Sequence, residues 1–278
     1  MADILRFTIL GCGSSPGVPR ISGDWGACDP DNPRNRRTRA SALVERIGVN
    51  GVTRVVIDTG PDFREQMVRA GAHTLDGAVY THPHADHIHG IDDLRGYVIT
   101  QRRLMNVWAD DATMDRLIEA FGYCFHTPAG SSYPPILRGH QIRHYEPFVI
   151  EGEGGPITFE PLRQVHGDIH SLAFRIGPLA YCSDVSAFPE KTLERLENLD
   201  LLIIDALQYR RHPSHFSLGE ALEWIEQLRP KHAVLTHMHV PLDYATVMAE
   251  TPHNVEPAHD GLVLELPASG DGLEGNRE

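Results

Sequence analysis

Residues 81–90, THPHADHIHG, place four histidines and one aspartate directly after the apolar segment DGAVY. In an extended chain the side chains alternate, so His82 and His84 point to the same side and can meet one ion. Asp86 and His87 follow at the predicted start of a helix, where they can face a second position. Imidazole and carboxylate ligands suit zinc, manganese or iron(II). The spacing therefore predicts a metal site behind a strand, without choosing the metal.

Short β-branched and aliphatic runs predict four strands in the first third of the chain, at 5–11, 39–47, 53–60 and 75–82. A helix is predicted between the last two of them, and strands and helices alternate again in the second half. This mixture is typical of two sheets packed face to face with helices outside, although a doubly wound sheet fits the periodicity equally well.

Three further features concern the organisation of the chain. Further helices are predicted from Asp86 onward, over 111–123, near 189–197, over 217–228 and near 243–250. The proline- and glycine-bearing stretch up to about residue 156 is a candidate substrate-covering insertion. Residues 1–266 are predicted to form a single domain, and residues 267–278 a disordered polar tail.

Composition narrows the classes of protein. The formal net charge of -13 argues against a general binder of extended nucleic acid. No segment approaches the roughly 20 apolar residues that span a bilayer, and Asp3 and Arg6 interrupt the first apolar run, unlike a signal peptide. The four cysteines lie far apart with no CxxC pair, which indicates free thiols in a reducing compartment. A cytoplasmic protein with no membrane partner is expected.

Further ligands are predicted where other apolar strands end. His166 follows ITFEPLRQV, Asp184 follows LAYCS, and His237 follows HAVLT. Gathered at one sheet edge, these residues would complete two metal positions. The predicted sets are His82, His84 and His166 on one ion and Asp86, His87 and His237 on the other, with Asp184 as a bridge. Two ions about 3.5 to 4 Å apart activate water and clamp a phosphoryl or acyl oxygen.

The ordered set HxHxDH, His166, Asp184 and His237 resembles the metallo-β-lactamase superfamily over nearly the whole chain. The resemblance implies an αββα four-layer sandwich with two divalent metal ions, zinc or manganese, at one edge of the sheets. It also implies that Asp58 supports the site from behind without being a ligand. The alternative for Asp58 is a helix N-cap before Pro61.

Within that superfamily, LGCGSSPGVPR, RNRRTRAS and LTHMHVPLDY most resemble the cyclic-phosphate phosphodiesterases of the carbon-phosphorus lyase pathway, with the tRNA 3′-processing endonucleases as more distant relatives. The resemblance implies that His215, just before a predicted helix, binds the substrate and stabilises the transition state or protonates the leaving oxygen. A helix-capping surface histidine is the alternative. Asp86 and His215 are the predicted catalytic residues, and related enzymes imply a homodimer.

Other residues carry weaker predictions. The glycines of GCGSSPG let a loop approach the metal site, where Ser14 or Ser15 would donate to a phosphate oxygen. One of the arginines at 34, 36, 37 and 39 would reach a substrate, although such a run is usually a solvated face. The related phosphodiesterase holds a structural zinc with a cysteine cluster, of which only Cys28 remains, and His239 is a relic of that site. His89 faces away from the His87 side of its helix, so a supporting role is predicted.

The leading hypothesis is a metal-dependent phosphodiesterase that acts on a small cyclic nucleotide or sugar phosphodiester and gives a phosphomonoester. The partner would be a small phosphorylated substrate or nucleotide. The alternatives are a thioester or lactone hydrolase on the same site, a tRNA 3′-processing endonuclease, and a non-catalytic protein that binds nucleotide or metal. Turnover of S-lactoylglutathione or of pre-tRNA, or inactivity with metal bound, would distinguish these alternatives.

Overall fold

The computed structural model describes residues 3–268, which form two seven-stranded sheets with helices beside them. The first sheet has the order β14-β1-β2-β3-β4-β5-β6. Its strands are β1 (Ile4–Gly11), β2 (Ser41–Gly48), β3 (Gly51–Ile57), β4 (Gly77–Val79), β5 (Met105–Ala109), β6 (Leu137–Gln141) and β14 (Val263–Pro267). Strands β14, β1, β2 and β3 pair antiparallel, whereas β3, β4, β5 and β6 run parallel.

The second sheet has the order β13-β12-β11-β10-β9-β8-β7. Its strands are β7 (Phe148–Ile150), β8 (Ile157–His166), β9 (Ile169–Ile176), β10 (Leu179–Cys182), β11 (Leu201–Asp205), β12 (His232–Thr236) and β13 (Val255–Pro257). Strands β10 to β13 are parallel, so their carboxyl ends meet at one edge.

Side chains of the first sheet alternate between two apolar layers. Val55 and Ile57 of β3 pack into the cluster between the sheets, together with Leu162 and Phe174 of the second sheet. Val56, between them in sequence, packs on the opposite face in a cluster with the helices. This period of two is what a strand covered on both faces requires. The predicted αββα sandwich is confirmed, and the doubly wound alternative is wrong.

Seven α-helices accompany the described sheets. They are α1 (Phe63–Arg69), α2 (Ala85–Ile88), α3 (Arg95–Gln101), α4 (Asp111–Phe125), α5 (Glu190–Leu193), α6 (Leu218–Leu228) and α7 (Tyr244–Glu250). Helix α6 begins with a complete capping box, in which Ser217 and Glu220 bond to each other's backbone amides.

Two expectations about local structure need correction. The helix predicted from Asp86 onward is three short pieces, α2, a 3-10 turn over Ile91–Leu94, and α3. It breaks at Gly90, whose amide donates to the Thr59 carbonyl 2.7 Å away and whose Cα lies so close to the Gly60 carbonyl that a side chain would not fit. The predicted insertion before residue 156 contains β6 and β7, the edge strands through which the chain passes from one sheet to the other.

Of the predicted tail, Pro267 ends β14, and residues 269–278 lie outside the described part of the chain. All four cysteines are buried and free, as predicted. None of the helices within residues 3–268 has the length and hydrophobicity of a membrane-spanning segment.

Candidate metal site

Three predicted ligands of the first position come together from separate elements. His82 follows β4, His84 directly precedes α2, and His166 is the last residue of β8. The Nδ1 atom of His84 lies 3.0 Å from Nε2 of His82 and 3.2 Å from Nε2 of His166. The three ligand atoms lie within 4.8 Å of one another, which is the spacing that one ion could share.

The three predicted ligands of the second position also meet. Asp86 and His87 lie on α2, and His237 follows β12 on the other sheet. Their ligand atoms fall within 4.8 Å of one another, and Oδ2 of Asp86 is 3.5 Å from Nε2 of His87.

Asp184 lies between the two groups. Its Oδ2 is 3.8 Å from Nε2 of His82 and 3.3 Å from Nε2 of His237. Its Oδ1 is 3.3 Å from Nε2 of His87. One carboxylate therefore faces ligands of both groups, which is the arrangement that a bridging ligand requires.

Asp58 is buried behind His87. Its Oδ2 accepts hydrogen bonds from Nδ1 of His87 and from the Thr81 hydroxyl, each at 2.7 Å, and its Oδ1 accepts the Thr81 amide. The first bond leaves Nε2 of His87 directed to the centre. Helix α1 begins only at Phe63, so the N-cap alternative for Asp58 is wrong.

Three of these residues adopt left-handed backbone conformations. The φ angles are 63° for Asp58, 54° for Asp184 and 58° for His237. Each residue comes one or two positions after the end of a strand, where the backbone turns sharply. Aspartate and histidine tolerate this region better than most residues do, and such strain is typically retained at functional sites.

The electrostatics suit a bound cation. Burial lowers the pKa of His82, His166 and His237, which favours the neutral imidazole that ligates metal. Burial would also lower the pKa of His87, but the carboxylates of Asp184, Asp86 and Asp58 outweigh it and raise that pKa well above the usual value. Positive charge is therefore favoured at the centre of the cluster.

The buried nitrogens provide a test of the metal fit. Nε2 of His87 and Nε2 of His237 make no hydrogen bond to any described residue, although each lies 3.3 Å from an oxygen of Asp184. A buried polar atom without a partner is costly, and a metal ion would satisfy both. Five imidazoles and two carboxylates are also the ligand types that zinc and manganese accept. The residues fit divalent metal binding.

His215 lies beside the two groups of ligands. Its ring stacks on that of His237, with centroids 4.7 Å apart, and its Nδ1 lies 2.7 Å from Oδ2 of Asp205. A ring nitrogen of His215 is within 4.8 Å of the ligand atoms of His166 and Asp184. Ser217, and not His215, caps α6, so the helix-capping alternative is wrong.

Asp205 is a residue of the site that the sequence analysis missed. It ends β11, is fully buried, and contacts His215 as well as His237, whose Nδ1 is 3.8 Å from its Oδ1. The sequence contained a signal for Asp205, because the apolar run LDLLIID ends in an aspartate. The predicted ligands likewise come at the ends of apolar strands.

The predicted substrate contacts have protein neighbours. The buried Ser14 hydroxyl is 2.8 Å from Nδ1 of His239, whose Nε2 is 2.6 Å from the Arg20 guanidinium, and Ser15 is exposed. Their contact with phosphate stays a prediction. His89 packs edge-on against Phe121, with ring centroids 5.7 Å apart.

The thiol of Cys28 donates to the carbonyls of Val240 and Leu242. The ring nitrogens of His239 already contact Ser14 and Arg20. Because Cys28 and His239 both have protein partners, their contacts do not favour a zinc site.

The four arginines of the basic run also contact protein groups. Arg34 donates to Tyr244, Arg36 lies over Trp25, Arg37 is buried against Leu242, and Arg39 pairs with Asp62. The contact of one of these arginines with a substrate stays a prediction.

Comparison with known proteins identifies the class. The family model described as a beta-lactamase superfamily domain matches residues 53–238. Together with the two sheets and the histidine–aspartate cluster, this match shows that the chain belongs to the metallo-β-lactamase superfamily of metal-dependent hydrolases.

Within the superfamily the chain resembles the PhnP family. A crystal structure of a diphosphatase of that family is 34% identical, has a TM-score of 0.85, and matches over 96% of this chain and 98% of its own. The short form of human tRNase Z is 17% identical with a TM-score of 0.63, over 93% of this chain and 98% of its own, and shares the fold. An octanoyltransferase of Porphyromonas gingivalis is 33% identical over 96% of this chain, which spans about half (52%) of that protein's length.

Replacing Asp58 with asparagine should weaken metal binding. Asparagine tolerates the left-handed backbone, but its side chain has one accepting oxygen instead of two, so it cannot keep all three hydrogen bonds from His87 and Thr81. A lost supporting bond of this kind typically costs about 10- to 100-fold in metal affinity or activity, measurable by competition with a metal chelator. Asp62→Asn, four residues away and paired with Arg39, is the matched control. Equal affinities in the two variants would contradict the supporting role of Asp58.

Proposed function

We propose that the protein is a phosphodiesterase that uses two divalent metal ions, zinc or manganese, and acts on small phosphodiesters, including cyclic nucleotides. The observation that supports this most directly is the position of His215 beside both ligand groups, with Asp205 behind it. One ion would be held by His82, His84 and His166, and the other by Asp86, His87 and His237, with Asp184 between them.

When bound, the ions would supply an activated water molecule and neutralise the charge that develops on phosphorus oxygens. The protein would orient the substrate and handle the leaving group. Asp205 accepts a hydrogen bond from Nδ1 of His215, so Nε2 is the nitrogen left for the substrate. Donation from Nε2 requires the imidazolium form, in which both ring nitrogens carry a proton. In that form His215 would donate to a phosphoryl oxygen or protonate the leaving alkoxide.

A second candidate is hydrolysis of a diphosphate bond, which the 34% identical relative favours because that protein is a diphosphatase. Both reactions displace an oxygen from phosphorus and need the same charge neutralisation. They differ in the leaving group, since an alkoxide needs a proton from His215 more than a phosphate does.

The purified protein with manganese or zinc should hydrolyse bis-p-nitrophenyl phosphate or 2′,3′-cyclic nucleotides. Release of p-nitrophenol and chromatography of the nucleotide products measure this. Turnover of a nucleoside diphosphate derivative alone would favour the second candidate. Turnover of S-lactoylglutathione or pre-tRNA without activity on small phosphodiesters would overturn the proposal.

A further inference from the structure

A second cluster of metal-ligating side chains lies outside the site described above and shares no residue with it. Asp110 directly follows β5. The segment that leads to His82 follows β4, which is the parallel neighbour of β5. His170 is the second residue of β9, and His144 lies between β6 and β7. The cluster therefore joins the two sheets through three separate segments.

Both imidazoles present the same nitrogen to one oxygen. Oδ2 of Asp110 lies 2.8 Å from Nε2 of His170 and 3.3 Å from Nε2 of His144. The three ligand atoms lie within 4.8 Å of one another. Ligands about 2.0 to 2.2 Å from a tetrahedral zinc ion are roughly 3.3 to 3.6 Å apart, so an ion could enter with small side-chain adjustments.

A backbone hydrogen bond fixes the orientation of the Asp110 carboxylate. Its Oδ1 accepts the Thr113 amide at the start of α4, which turns Oδ2 toward the histidines. Burial would raise the pKa of Asp110, but hydrogen bonds from Thr113, His170 and His144 outweigh it and hold that pKa below the usual value. The oxygen that faces the two imidazoles is therefore charged.

The cluster is also open to solvent on its imidazole side. The side chains of His144 and His170 are 30% and 27% exposed, whereas that of Asp110 is 6% exposed. An ion can reach the cluster, and water can complete its coordination. Two imidazoles and one carboxylate with open positions form a recurrent site for first-row transition metals.

We propose that Asp110, His144 and His170 bind an additional divalent transition-metal ion, of which zinc is the most suitable, with water as the remaining ligand or ligands. The ion ties the segment between β6 and β7 to both sheets. Without an ion, the same residues are held by the two histidine–aspartate hydrogen bonds, which need the Nε2 protons. The tautomer with the proton on Nδ1 frees Nε2 for the metal.

The number of bound ions tests this proposal. The full chain is loaded with zinc, dialysed, and analysed by native mass spectrometry and elemental analysis. His170→Gln and Asp110→Asn should each bind one ion fewer than the unmodified protein. Asparagine retains the helix cap, so the second variant keeps α4 intact while it removes the charged oxygen.

His140→Gln is the matched control, because His140 is nearby on β6 and bonds Asn106 outside the cluster. It should bind as many ions as the unmodified protein. Equal numbers in all four proteins would overturn the proposal. A crystal grown with cobalt should also show an anomalous peak among Asp110, His144 and His170, and cobalt at the Asp184 site with no peak here would overturn it independently of any variant.

Discussion

Asp184→Asn should remove at least one metal ion and nearly all hydrolytic activity. The asparagine keeps the size of the side chain, but it loses the charge that faces His82, His87 and His237. A metal ion contributes several kcal/mol to transition-state stabilisation. About 4 kcal/mol corresponds to roughly a 10³-fold lower rate. Elemental analysis gives the metal content, and hydrolysis of bis-p-nitrophenyl phosphate gives the rate.

Asp200→Asn is a suitable control, since Asp200 is a partly exposed aspartate that pairs with Lys231. It should keep both metal content and rate. A full complement of metal in Asp184→Asn would refute the bridging role of Asp184, whatever the substrate proves to be.

His215→Ala should lower kcat strongly while the metal content stays unchanged. His215 stacks on His237 and contacts Asp205, but it belongs to neither group of predicted ligands. Loss of a positioned proton donor typically costs about 10²- to 10⁴-fold in rate. The loss should be smaller for substrates with an acidic leaving group such as p-nitrophenol, which needs little protonation, than for 2′,3′-cyclic nucleotides.

His212→Ala provides the comparison, because His212 is exposed and its ring lies 5.3 Å from that of His215. Its kcat should change little. Full activity of His215→Ala on both substrates would remove His215 from the mechanism, and a loss of metal in that variant would make it a ligand instead.

The sequence predicted that Asp184 and His237 would lie close together because one geometric rule governs both residues. His237 and Asp184 come one and two residues after apolar parallel strands, and the carboxyl ends of parallel strands lie at the same edge of a sheet. The rule works without knowledge of which strand neighbours which. The αββα order itself came from the resemblance, since periodicity alone left a doubly wound sheet open.

The features that sequence analysis missed depend on contacts between distant segments. Strand β6 is largely polar and β7 has only three residues, and they form because each pairs with an existing sheet edge. The break at Gly90 depends on the approach of the loop that contains Gly60, which no helix propensity records. Asp205 was visible as a strand-end aspartate, but its function depends on His215, ten residues later.

Because the predicted ligands belong to both sheets, ion binding would couple the supply of metal to the amount of folded protein. An ion that binds only the folded chain adds about 4 kcal/mol of stability when its free concentration is roughly 1,000 times its dissociation constant. That increment is a large fraction of the free energy of unfolding of a typical domain. Under metal starvation the cell would therefore lose folded copies of the protein to proteolysis, in addition to the activity of those that remain.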